Sequence, residues 1–292
     1  MKNILTLLFF FFLSISSYSQ EYEKNISGNV IIEGSFNASV KIKPGTMYLY
    51  ELKGNDEYIL DSTLVKGNSF AFKNKSFQTG VYRLAFNNST NSLDIVVNPR
   101  ESNKISVKLN NYRISKGYNI PNSIENKIKK LYTTKESSIT QKVKLLKKSS
   151  KTRDVKLAEM KSLQMELFEY GLGLHNQNPG TYFGMILSQM HSKHHNVAHL
   201  YFTDIDFSDE CIVRSALLPT RIQTYFQNYS NWPNNEYGFH DAIDVVMDHA
   251  KINEQVAEFC MYNMLDGFYN TGQTDRKGNA IWNNLCNYID TV

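Results

Sequence analysis

The chain reads as α+β: an N-terminal antiparallel β-sandwich or small barrel over residues 22–117, then an all-helical domain over residues 121–292. Three observations predict it. Before Pro121, short runs of β-branched and aromatic residues recur about every eight to twelve positions with turn chemistry between them, the spacing of an all-β domain. After Pro121-Asn122-Ser123 the apolar period lengthens to the helical repeat. Between the strands Leu60–Val65 and Ser69–Phe72 stands Lys66-Gly67-Asn68, where glycine beside asparagine supplies the positive φ of a tight reversal, so this stretch predicts a hairpin.

In chain order, Val30, Ile32, Gly34 and Phe36 form the first strand pattern, and Val40 with Ile42 precedes the turn Lys43-Pro44-Gly45. Tyr48, Tyr50 and Leu52 alternate with Leu49 and Glu51 up to Gly54-Asn55-Asp56. Beyond the predicted hairpin, Tyr82, Leu84 and Phe86 lie on one side of the pleat, Val81 and Arg83 on the other. Leu93, Ile95 and Val97 stop at Asn98-Pro99, and Ile105, Val107 and Leu109 close the series. The expectation is a sheet face that is buried and one that is wet. Tyr48, Tyr50, Tyr82 and Phe86 read as sandwich core rather than as a binding face.

The helical half opens with Ser123 as a cap, followed by Ile124, Ile128, Leu131, Ile139, Val143 and Leu146, then by Met160, Leu163, Leu167, Tyr170 and Leu174. Lys148-Ser149-Ser150-Lys151 has no apolar residue and reads either as the turn of a helical hairpin or as an exposed stretch of one longer helix. Asn178-Pro179-Gly180 ends that pair. Further helices are expected over residues 181–190, 208–229 with a break near Pro219, 236–251, 254–269 and 279–289.

Residues 1–19 have the form of a signal peptide: Lys2, a short phenylalanine-rich apolar run, and Ser17 and Ser19 ahead of a cleavage before Gln20. This predicts an exported protein, periplasmic or cell-envelope associated, with no transmembrane segment in the mature chain. Loss of Lys2 lowers the formal charge from +4 to +3, too mild a surplus for nucleic-acid binding. The distribution carries more information than the sum. Residues 121–161 hold twelve Lys or Arg against four acids, and residues 200–292 hold thirteen acids against five Lys or Arg. The two surfaces either complement each other within the molecule, or the basic one meets an anionic lipid leaflet or an acidic partner.

Candidate chemistry is sparse. His191, His195 and His199 would share one helical face and could hold zinc or copper, although no glutamate has the spacing of an H-E-x-x-H site and Lys193 adds positive charge. Asp204, Asp206, Asp209 and Glu210 resemble a calcium loop but lack its glycine and its twelfth-position glutamate, so Ser208 or Asp209 reads as a helix cap. The cysteines, Cys211, Cys260 and Cys286, are odd in number and lack a C-x-x-C spacing. Buried thiols are expected, with a Cys260–Cys286 bridge left open. No nucleophile elbow or phosphate loop is present, and Gly171-Leu172-Gly173 lies within a helix without a preceding strand. No catalytic residue and no cofactor are assigned.

The tyrosine strand Tyr48-Leu49-Tyr50, Gly54, Asp61-Ser62-Thr63, Gly67-Asn68-Ser69-Phe70-Ala71-Phe72 and Gly80-Val81-Tyr82-Arg83-Leu84 together resemble the β domain that opens exported thioredoxin-family thiol–disulfide interchange proteins of the Bacteroidetes type. The glycine–phenylalanine strand is one residue longer than that family's pattern. Asn178-Pro179-Gly180-Thr181-Tyr182-Phe183 and Tyr201 to Asp209 are similar to the helical domain that follows it in some members. The Trp-Cys-x-x-Cys site of full members is not in this sequence, so no family catalytic residue carries over. The resulting expectation is a non-catalytic binding or scaffold protein of the cell envelope that acts through a protein partner, thioredoxin-like among the candidates, or through a ligand. The alternative is the accessory half of a thiol–disulfide system that works with a separate thioredoxin-like domain.

Overall fold

The structure, a computed structural model, describes residues 22–24, 26–88, 90–194, 197–229, 236–271 and 288. The predicted signal peptide, His195, Cys286 and nearly all of the helix expected over residues 279–289 lie outside them.

Alternating apolar residues build β1 (Ser27–Phe36), β2 (Thr46–Lys53), β3 (Asp56–Leu64), β4 (Ser69–Gln78), β5 (Gly80–Phe86), β6 (Ser92–Val97), β7 (Lys104–Leu109) and the short β8 (Tyr118–Asn119). They form two four-stranded sheets, ordered β4-β1-β7-β8 and β3-β2-β5-β6, and neither closes into a barrel. Val30, Ile32, Phe72 and Ile105 of one sheet and Met47, Leu49, Leu84 and Ile95 of the other share a core, the arrangement of a sandwich. Every pairing is antiparallel except β1 with β7, which is parallel.

The predicted hairpin at Lys66-Gly67-Asn68 is corrected by the sheet order. The turn has the expected backbone, with φ of 53° at Gly67 and 65° at Asn68, and Lys66 and Ser69 exchange backbone hydrogen bonds of 2.8 and 3.0 Å. Yet β3 pairs with β2, and β4 pairs with β1 in the other sheet. The turn is therefore a corner between layers. The local reason is the Gly54-Asn55 reversal (φ 60° at Gly54), which closes β2 and β3 into the true hairpin and occupies the inner edge of β3. Crossing over lets Phe70 and Phe72 enter the shared core. Val40 and Ile42 form no strand; they lie partly buried against that core from an irregular connection.

The expected wet face is also corrected, for β5 and β6. Val81, Val96 and Leu52 point away from the sandwich core and join a second core made by the helices. The helical half covers this sheet, so β5 is buried on both faces.

That half consists of α1 (Ile124–Lys148), α2 (Arg153–Gln177), α3 (Tyr182–Gln189), α4 (Leu217–Tyr229), α5 (Glu236–Ala250) and α6 (Glu254–Thr271), with a 3-10 turn at Glu210–Arg214. The Ser123 hydroxyl caps α1 by accepting from the Asn126 N–H at 3.1 Å, as expected, and residues 149–152 turn the helical hairpin, the first of the two readings of that stretch. The helix expected over residues 208–229 breaks at Ser215, ahead of Pro219, which sits in the first turn of α4 where no N–H is required. The second core gathers Tyr182, Ile186, Phe202, Ile212, Leu218, Ile243 and Val256. The predicted apolar faces of α1 and α2 are only partly used: Ile124 and Leu131 are exposed, and of the five apolar residues expected along α2 only Leu174 is buried. No described helix is long and apolar enough to cross a membrane.

Candidate functional site

The two halves meet at the first turn of α1. Glu125 is 1% exposed and accepts three hydrogen bonds of 2.8 Å, from the Asn98 side chain and from the backbone N–H groups of Tyr182 and Phe183. Its carboxylate thus ties the end of β6 to the N-terminus of α3, where a negative charge is favoured. Burial pushes this carboxyl up to about 7 against the pull of those donors. Next to it, Asn126 accepts from the Val96 N–H at 2.9 Å and donates to the Val96 carbonyl at 2.8 Å, replacing a strand along the free edge of β6. Glu101 accepts from the Ser123 hydroxyl at 2.8 Å and from the Glu125 N–H at 3.0 Å, which completes the anchor.

A second node lies at the Gly80 end of β5. Arg214 donates from Nε to Glu51 at 2.9 Å and from Nη2 to the Gln78 side chain, whose amide donates to Glu210 at 2.8 Å. Gly80 makes room for it: a Cβ there would stand 2.5 Å from the Arg214 Cβ. A third node is internal to the helices. Arg221 donates to the Gln189 carbonyl at 2.5 Å, the Tyr201 carbonyl and Asp204 at 2.8 Å, with its guanidinium over the Tyr201 ring. In all three nodes the charged groups are engaged in holding elements together.

Beside the first node, where α1 passes β6 and β8, a cleft of about 490 Å³ opens, lined by Arg83, Asp94, Tyr118, Lys129, Lys130 and Thr133 among others. Its cations differ sharply. Arg83 is held by Asp94 (2.5 and 2.9 Å) and by Glu57. Lys130 donates to the Tyr118 carbonyl at 2.8 Å and lies over the Tyr118 ring. Lys129, half-buried, makes no hydrogen bond or ion pair among the described residues, and burial pulls its ammonium below the usual lysine range. Hydroxyls of Thr133, Thr134 and Ser137 line the same wall. A wider groove of about 910 Å³ crosses the β1–β7 face, and there Glu33 is bound to Lys104 at 2.9 Å and Ser106 at 3.1 Å.

The predicted site residues take other positions. α3 stops at Gln189, so His191 and His199 share no helical face: His191 sets its ring against Phe168, and His199 sits in a separate one-turn 3-10 helix, Ala198–Leu200. Among the described residues no group of three His, Cys, Asp or Glu side chains could hold a metal ion. The acids of the calcium-like stretch point to separate partners. Asp204 binds Arg221, Asp206 binds Lys24 and Ser208, and Asp209 accepts from the Cys211 N–H at 3.0 Å as the cap of its 3-10 turn. The cap reading therefore holds at Asp209. Cys211 and Cys260 are buried, and burial pushes the Cys260 thiol up to about 12. Of the four aromatics, Tyr82 and Phe86 are core, whereas Tyr48 and Tyr50 lie half-buried on the outer face.

Lys135, Lys142 and Lys151 of the basic stretch pair with Glu166 and Glu159 inside the α1–α2 hairpin, and Asp206, Asp204 and Asp248 of the acidic stretch pair with Lys24, Arg221 and Lys251.

Sequence reasoning missed Glu125, Asn126, Arg214 and Lys129. Glu125 reads as an ordinary acid in a first helical turn, and Lys129 is one of two adjacent lysines. A comparison of the chain with protein-family models, with curated proteins and with solved structures finds no match.

Proposed function

We propose that the chain is an exported, non-catalytic binding protein of the cell envelope that takes a small anionic ligand in the cleft beside α1. One observation carries the reading: Lys129 presents a partly desolvated ammonium to that cleft with no direct hydrogen bond or ion pair among the described residues, Asp94 and Glu136 acting on it only through space. A cation kept from full hydration gains most from an incoming carboxylate or phosphate. The neighbouring hydroxyls of Thr133, Thr134 and Ser137 donate to backbone carbonyls of α1, so the ammonium is the donor that the ligand would meet. The buried acids and guanidiniums elsewhere are bound to structural partners, which supports binding over catalysis.

In an accessory role beside a thioredoxin-like partner neither Cys211 nor Cys260, the two cysteines among the described residues, suits thiol exchange, because both are buried and Cys260 stays a neutral thiol at neutral pH. Thermal denaturation with phosphate, citrate or glutamate, each against chloride at equal ionic strength, tests the proposal. A bound anion at a hundred times its dissociation constant stabilises by about 2.7 kcal/mol, a rise of several degrees. Equal midpoints in all four salts would contradict it.

A further inference from the structure

The α1–α2 hairpin has a base and an arm. Of α1 only Ile128 and Tyr132 belong to the helical core, and of α2 only Leu167, Tyr170 and Leu174 pack there. Ile139 and Leu146 are buried, yet stand outside both cores. The segment between Ser137 and Glu166 is therefore an arm held by its own seam, and the turn at residues 149–152 is its tip. A lone helical hairpin is not needed to complete either core, so its surface chemistry is free to serve something else.

That chemistry is one-sided. Residues 142–159 contain seven Lys or Arg against two acids. Lys142 and Lys151 are paired with Glu166 and Glu159, and Lys156 donates to the Lys147 carbonyl at 3.2 Å. Lys144, Lys147, Lys148 and Arg153 are exposed and make no side-chain ion pair among the described residues. Three large apolar side chains stand among them: Leu145 is 71% exposed, Leu157 50% and Val155 44%. All three lie within two helical turns of the tip. Cations beside unburied aliphatic side chains match an anionic bilayer, whose headgroups take the charges while the acyl boundary takes the leucines. An acidic protein would match the charges alone.

We infer that the tip of the α1–α2 arm docks on an anionic phospholipid surface, with Lys144, Lys147, Lys148 and Arg153 at the headgroups and Leu145 and Leu157 inserted at the interface. The occupant is fixed by charge complementarity together with the apolar trio, and the inference is independent of the cleft at Lys129.

Co-sedimentation of the mature chain with vesicles tests it. With phosphatidylcholine vesicles containing about a third phosphatidylglycerol at 0.1 M salt, the wild type is expected to sediment, and to be released at 0.5 M salt as the charges are screened. The variant Lys144→Glu, Lys147→Glu, Lys148→Glu, Arg153→Glu is expected to bind at least 100-fold more weakly, since each basic residue near the leaflet is worth about fivefold. Leu145→Ser with Leu157→Ser is expected to weaken binding about tenfold with the charges intact. All six positions are exposed, so the unfolding midpoints of both variants should match the wild type. Sedimentation equal with pure phosphatidylcholine, or undiminished in the four-charge variant, would overturn the inference. So would capture by soluble polyglutamate with no sedimentation on anionic vesicles, which would make the partner an acidic protein.

Discussion

The two ends of α1 have opposite surroundings. At its first turn Glu125, Asn126 and Ser123 are buried, and their polar atoms bind β6, α3 and Glu101. At its last turns Leu145 is exposed and Lys144, Lys147 and Lys148 carry their charges in water. The polar end is the structural one and the end with a bare leucine is not, the reverse of the usual expectation that apolar residues hold a fold and polar ones face outward. Engagement, and not polarity, separates structural from available groups here. Arg214 and Lys129 repeat the contrast, one guanidinium locked to Glu51 and Gln78, one ammonium with no direct hydrogen bond or ion pair among the described residues.

Truncating an engaged group should cost most. Arg214→Ala strands Glu51 at a buried junction, where the Arg214 and Glu51 side chains are 4% and 19% exposed, and should lower stability by about 3–5 kcal/mol in a denaturant titration. A loss under 1 kcal/mol would place that node among the solvated pairs.

The next effect is a pH dependence at Glu125. Its folded value of about 7 lies above the ordinary 4.5, so between those values the folded chain holds a proton that the unfolded chain has released. The contribution is therefore full below about pH 4.5 and is lost as pH rises through 7, a decline of about 3 kcal/mol. Glu125→Gln, neutral throughout, should flatten that decline, and parallel curves for the two proteins would show that Glu125 does not titrate there. The smallest effect belongs to the tip, where Leu145→Ser should change stability by no more than about 0.5 kcal/mol.

Much of the fold is legible in local chemistry. The change from strands to helices after Pro121, the Ser123 cap, the turn at residues 149–152 and the positive φ of Gly67 and Asn68 all follow from residues acting on their immediate neighbours. What a turn connects is not local. Lys66-Gly67-Asn68 has the same backbone whether it closes a hairpin or a corner, and only the earlier reversal at Gly54 assigns β3 its partner. The covered second face had a signal: Ile95-Val96-Val97 is a continuous apolar run, which a strand wet on one side does not need. The arm had one too, since α2 lacks a clean apolar stripe before Leu167. The cleft was hidden, because nothing in Lys129-Lys130 tells which lysine finds a carbonyl and which makes no direct bond among the described residues.

The claim that the unengaged cation is the functional one is tested most directly by repeating the anion denaturation series on Lys129→Met. The expected result is an unchanged midpoint in chloride and loss of the rise that the best anion gives the wild type. An equal rise in the variant would show that the anion binds elsewhere and that Lys129 is only a solvated charge.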